Sequence, residues 1–165
     1  MTTTTHSRAL APIQPGDLVV MIGPAGSGKS TLLSAVPAHR IVSLDHLRAV
    51  VSEPGDQNAT SDAVRLQHQI VLARLLRGAT TYVDNTSVEA PHRTELVGMA
   101  DLYGRRAVAV LVDAPLQTCL DRNARRPAER RVPEDVLRWQ HDLARAAREL
   151  LPHEGFAEIR HLRTA

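Results

Sequence analysis

The stretch Leu18-Val19-Val20-Met21-Ile22-Gly23-Pro24-Ala25-Gly26-Ser27-Gly28-Lys29-Ser30 decides the fold. Five consecutive apolar residues that run directly into a glycine-rich turn read as a strand buried on both faces, the usual appearance of a strand in a parallel sheet. Gly23 to Ser30 then satisfy GxxxxGK[ST], after a buried strand and ahead of a helical pattern that starts at Lys29 and runs to about Val36, before Pro37. A phosphate-cradling loop needs that context. Its glycines let backbone N–H groups converge on phosphate oxygens, and the helix N-terminus adds positive potential. Gly23, Gly26, Ser27, Gly28, Lys29, Ser30 and Thr31 are therefore the expected nucleotide contacts, with Lys29 on the β- and γ-phosphates and the Ser30 hydroxyl on magnesium. A glycine-rich turn without a ligand would leave the lysine unexplained. All but one of the 20 basic residues are arginine, and the single lysine is Lys29.

Outward from this loop, strand and helix signals alternate. Ile41-Val42-Ser43 reads as a second strand leading to Asp45, and residues 45–51 as a short helix. Thr60 or Ser61 is placed to cap a longer helix that stops at Gly78. Residues 80–83 form a strand ending at Asp84, and Pro91 opens the next helix, to about Tyr103-Gly104. Residues 107–112 are another apolar strand, followed by helical stretches near 115–126 and 133–150 and a last short strand near Phe156 to Ile159. This alternation predicts an α/β fold, a three-layer sandwich with a central parallel sheet and helices on both faces. Ligands in such folds bind beyond the carboxyl ends of the strands, so the loops holding Gly23, Asp45, Asp84 and Asp113 should share one rim. Residues 1–16, rich in Thr and Pro, read as a flexible leader, and 17–165 as one domain.

Composition narrows the function classes. A chain that is 43% hydrophobic and 23% charged folds rather than staying disordered. With 2% aromatic residues, stacking on aromatics is not an expected binding mode. No apolar run approaches the length that spans a bilayer and the N-terminus lacks a secretory signal, so a cytoplasmic location without a membrane partner is expected. The lone Cys119 reads as a small buried apolar residue, and the eight histidines lack ligand spacing. A formal charge of +2 and a pI near 9.2 permit anionic ligands without requiring them.

Three groups beyond the loop carry chemistry. Asp45, followed by Arg48 at helical spacing, suits a base that takes a proton from an attacking hydroxyl, or equally a helix N-cap. Asp84 at a strand end suits a carboxylate that holds magnesium or one of its waters, with Asn85, Thr86 and Ser87 continuing a polar stretch. Arg122, Arg125, Arg126, Arg130 and Arg131 crowd together with only Glu129 between them. Five like charges repel unless an anion joins them, which predicts an arginine-rich helical lid closing on ATP phosphates through Arg122 and Arg126.

These residues resemble the polynucleotide 5′-hydroxyl kinase domain of bacterial end-healing RNA repair enzymes, and more loosely phage polynucleotide kinase. The resemblance rests on LVVMIGPAGSGKSTL, Asp45-x-x-Arg48, Asp56-Gln57-Asn58-Ala59-Thr60, Val83-Asp84 with Arg93, and Cys119-Leu120-Asp121-Arg122-Asn123. It implies a P-loop kinase using ATP, or another nucleoside triphosphate, with Mg²⁺. Asp45 is then the general base, Arg48 a contact to the acceptor phosphate, and Arg122 and Arg126 lid residues. It also implies that the Asp84 strand lies between the P-loop strand and the Asp45 strand. Ser87 stands where that family carries Asn. Three functions follow for comparison: phosphorylation of a nucleic-acid 5′-hydroxyl, phosphorylation of a small hydroxyl acceptor, and ATP binding that regulates a partner without transfer.

Overall fold

Strand β1 (Leu18–Ile22) is fully buried, and its alternating side chains set the layers of the fold. The protein is described by a computed structural model covering residues 10–165. Leu18, Val20 and Ile22 point to one face, where they pack with Val71 and Leu75 of α3 (Thr60–Leu76), Leu96, Val97 and Ala100 of α4 (Ala90–Leu102), and Ala144 and Ala147 of α6 (Glu134–Leu150). Val19 and Met21 point to the other face, against Leu32 and Leu33 of α1 (Lys29–Leu33). Each such aliphatic side chain contributes about 1.5–3 kcal/mol by leaving water, which is how a core almost without aromatics holds together.

The sheet has five parallel strands in the order β2 (Ile41–Ser43), β3 (Thr81–Asp84), β1, β4 (Ala107–Asp113), β5 (Glu158–Arg163). Leu18 is in register with Thr81 on one side and Ala107 on the other. The Asp84 strand thus lies between the P-loop strand and the strand leading to Asp45, as the resemblance implies. The carboxyl ends of β1, β2, β3 and β4 form the rim that carries the loops singled out by sequence. Two further helices complete that rim, α2 (Leu44–Val51) and α5 (Leu116–Ala124).

Several boundaries differ from the sequence reading. The last strand spans Glu158–Arg163 instead of ending at Ile159. Its Glu-Ile-Arg-His-Leu-Arg sequence looks like a solvated loop, but an edge strand with one wet side accepts that alternation. Helix α1 stops at Leu33 rather than near Val36, as the Ser34 hydroxyl donates to Thr31 O at 2.7 Å in its last turn. Neither Thr60 nor Ser61 caps α3. Asp56 caps the short 3₁₀ turn before it, accepting from Asn58 N at 2.9 Å. Of the expected leader, residues 1–9 lie outside the described residues. Residues 10–16 lie against the sheet: Leu10 is buried with Val19 and Val108, and its carbonyl accepts from Arg160 Nη1 at 2.8 Å. Among the described residues, no helix is long and apolar enough to cross a membrane.

Candidate active site

The P-loop is built by glycines whose conformations other residues rarely adopt. Gly26 and Gly28 have φ of +79° and +103°. A Cβ on Gly26 would lie 2.7 Å from the Cys119 carbonyl oxygen, and one on Gly23 would lie 2.6 Å from that of Val112. The loop is therefore pressed against α5 and β4, and Cys119 is buried as its backbone partner. Gly23 and Ser27, both expected to touch nucleotide, are buried and line neither cleft described below. Gly23 N donates to Thr86 O at 2.8 Å, and Ser27 Oγ has no hydrogen-bond partner among the described residues.

Two clefts flank the loop. The first, of about 630 Å³, is lined by Gly26, Gly28, Lys29, Ser30, Thr31, Arg122 and Arg126, together with residues 161–165 at and just beyond the end of β5. The second, of about 550 Å³, is lined by Asp45 and Arg48 of α2, Gly55 and Gln57, Asp84 to Thr86 at the end of β3, and Arg126, Arg131 and Gln140. Lys29, Ser30 and Arg126 belong to both walls. The residues that sequence reading drew from four separate segments thus meet around one lysine.

Lys29 Nζ donates to Gly23 O at 2.7 Å and to Pro24 O at 2.9 Å. Burial pulls its pKa down to about 8. The Asp84 carboxylate opposes that shift and the Arg126 guanidinium adds to it. Asp84 itself is pushed above the usual carboxylate range, chiefly by burial, with Lys29 and Arg126 pulling the other way. Burial likewise lowers Arg126 and Arg48 from the ordinary guanidinium value.

Asp45 sits in the first turn of α2, exposed, and Arg48 one turn later is ion-paired with it. The N-cap of α2 is Ser43, whose hydroxyl accepts from His46 N at 3.5 Å, so Asp45 is free of the capping role. Arg122 Nη1 donates to Gly26 O at 3.0 Å and Arg126 follows the end of α5. Arg122 thus lies on the loop and Arg126 is half-buried in the walls of both clefts, whereas Arg125, Arg130 and Arg131 are exposed. Asn123 fastens the return of the lid, donating to Val132 O at 2.7 Å and accepting from Val132 N at 3.0 Å.

A model of the AAA domain family matches residues 18–151 of the sequence. The chain belongs to this AAA domain family. No curated protein matches it. Among solved structures, the AvrRxo1-ORF1:-ORF2 complex with ATP is 17% identical at a TM-score of 0.72, covering 99% of this chain and 60% of that one. A putative kinase from Chloroflexus aurantiacus J-10-fl is 17% identical at a TM-score of 0.64, covering 92% of this chain and 90% of that one. One chain of a Pnkp1/Rnl/Hen1 complex is 18% identical at a TM-score of 0.57, covering 68% and 40%. This AAA-family chain thus spans 60% of the length of the AvrRxo1 chain. At such identities the likeness shows the fold, and that fold is the P-loop kinase type.

The AAA-family site also contains residues that sequence reading did not single out. Gln140 of α6 accepts from Ala25 N at 3.0 Å, and the Thr164 hydroxyl donates to Ser27 O at 2.8 Å. Asn85 is engaged with Gln67 of α3 through a reciprocal amide pair at 2.8 and 2.9 Å. Arg93, quoted for the resemblance, is fully buried. It donates to both carboxylate oxygens of Glu154 at 2.6 and 2.7 Å and to the carbonyls of Ser87 and Val88. It therefore shapes the loop after β3 from behind and does not line the second cleft. Ser87 is buried with φ +45°, a conformation that Asn tolerates more readily.

Proposed function

We propose that this protein transfers the γ-phosphoryl group of ATP to a hydroxyl held in the cleft of Asp45 and Arg48. The observation that carries this reading is the shared wall. Lys29, Ser30 and Arg126 line both clefts, so a phosphate held at Lys29 from one side is presented to a molecule in the other. A module that only bound ATP would need the first cleft alone. Lys29 leaves the Gly23 and Pro24 carbonyls for the phosphate, and Arg122 and Arg126 close over the donor. Asp45 takes the proton of the acceptor hydroxyl.

The residues present fit magnesium. Ser30 and Asp84, which line the same cleft, would hold the ion through a hydroxyl and a carboxylate. Among the described residues no cluster of three or more His, Cys, Asp or Glu could hold a metal ion. When bound, the ion would supply neutralising charge to the transferred phosphoryl group.

Two acceptors are in view. The motifs after β2 and β3 support a nucleic-acid 5′-hydroxyl. The bounded shape of the second cleft favours a small hydroxyl compound. Incubation with labelled ATP, Mg²⁺ and both kinds of acceptor tests the reading. Transfer to either sustains it, and ATP binding without transfer to any acceptor overturns it.

A further inference from the structure

The second cleft is bridged where the loop after α2 meets the lid. Gly55 has φ +85°, and a Cβ there would lie 2.7 Å from the backbone oxygen of Glu129. Loop and lid therefore touch backbone to backbone, at a position no side chain can occupy without moving one of them. Gly55 and Arg131 both form part of the wall, so the contact lies across the acceptor side of the site. The space it bounds, about 550 Å³, falls among cavities of about 300–1,000 Å³ that take up one small ligand. A polynucleotide needs a different surface, a positively charged groove that follows successive phosphates. The Gly55–Glu129 bridge interrupts such a path.

Charge gives the second clue. The cleft is lined by Lys29, Arg48, Arg126 and Arg131 against Asp45 and Asp84 alone. Lys29 and Arg126 also face the donor cleft, and Arg48, with its side chain 13% exposed, is paired with Asp45. Arg131 is different. Its Nε donates to Arg126 O at 2.7 Å, which orients the guanidinium, and among the described residues no carboxylate pairs with it. A cation held in place on a cleft wall without a counter-charge is suited to an anionic group of the ligand.

We propose that the acceptor is a small hydroxyl compound bearing a phosphate or carboxylate, taken whole into the second cleft. Arg131 reads its anionic group, and the Gly55–Glu129 contact sets its size limit. This rests on the phosphotransfer reading above. The hydroxyl oxygen bonds to the γ-phosphorus of ATP as the bond from that phosphorus to the β,γ-bridging oxygen breaks. The electron pair leaves with ADP, and the hydroxyl proton passes to Asp45.

The test gives the full chain γ-labelled ATP and Mg²⁺ with two acceptor sets, and products are separated by size and charge. One set is an ultrafiltered small-molecule extract. The other is a 5′-hydroxyl series lengthening from a nucleoside 3′-monophosphate to oligonucleotides. Label is expected in small anionic compounds of the extract, with transfer along the series falling as length increases. Arg131→Gln should lower kcat/KM for the labelled compound by about tenfold to a hundredfold, mainly through KM, the loss expected for a hydrogen bond to a charged group. Gly55→Ala should admit longer members of the series. If that variant does not fold, the length series of the unaltered chain decides alone. Oligonucleotides phosphorylated as well as or better than the monophosphate, or label confined to neutral compounds, overturn this proposal while leaving phosphotransfer standing. A chain that binds ATP and labels nothing overturns both.

Discussion

Lys29 exchanges water for two carbonyl oxygens and a neighbouring carboxylate, and that exchange makes nucleotide binding sensitive to pH. With its pKa drawn from 10.5 to about 8 by burial, the lysine is partly neutral in mildly alkaline solution. A phosphate placed against it favours the charged form, so binding should take up a proton near pH 8. ATP affinity should weaken as pH rises through that value. Calorimetry of ATP binding in buffers of different ionisation heat reads the uptake directly, and none at pH 8 would refute the assignment. For folding, the unfolded chain holds the Lys29 proton between about 8 and 10.5 and the folded chain does not. Lys29's contribution to stability therefore rises with pH across that window. Asp45 offers the sharper mechanistic test. Because Ser43 already caps α2, Asp45→Asn removes proton acceptance without removing a cap. Turnover should fall by about 10²–10⁴ while ATP affinity changes little, measured on one preparation. Unchanged phosphorylation would remove Asp45 from the mechanism. The placement of these residues was legible because it is set locally, by a loop of fixed spacing and by carboxylates at or just past the ends of apolar strands. Gln140 was not legible. Its bond to Ala25 crosses 115 positions, and nothing in the residues around it marks that approach.

At the level of elements, the strands that are buried on both faces were read from short apolar runs rich in Val and bounded by turn residues, the pattern of a strand covered on both sides. Strand β5 escaped in its second half because an edge strand tolerates charges. Arg93 shows how a motif residue serves the site without reaching it. Its pairing with Glu154 ties α4 to the turn before β5, and its bonds to the Ser87 and Val88 carbonyls hold the chain that follows Asp84. The Glu154 side chain is only 7% exposed. Arg93→Met should therefore cost about 3–5 kcal/mol, because a buried carboxylate and two carbonyls lose their donor. The double variant Arg93→Met with Glu154→Leu should recover part of that loss. Denaturant unfolding measures both. A single-variant loss below about 1 kcal/mol would place the pair among ordinary surface salt bridges.

Across the whole molecule, the P-loop, the second cleft and the arginine-rich segment after α5 are joined by short contacts to backbone carbonyls. Arg122 reaches the Gly26 carbonyl, Asn123 binds the returning chain at Val132, and the Glu129 carbonyl meets Gly55. Between these fastenings Arg125, Arg130 and Arg131 remain exposed, so an arginine-specific protease samples the lid directly. Arg65 on the outer face of α3 and Arg77 at its end give internal references, the first being exposed and the second lying outside the site. ATP with Mg²⁺ adds anionic oxygens that Arg122 and Arg126 can bind at once. It should raise the free energy of opening the segment from Ala124 to Arg131 without affecting α3. Cleavage after Arg125, Arg130 and Arg131 should then slow relative to cleavage after Arg65. Arg122→Ala and Arg126→Ala should each weaken that protection while leaving cleavage at the reference sites unchanged. Equal slowing at every arginine would mean that nucleotide stabilises the fold as a whole. Unaltered cleavage in the lid with ATP bound would mean that these arginines do not close on the donor. Only selective protection, lost in both variants, matches a lid fastened to the P-loop by its ligand.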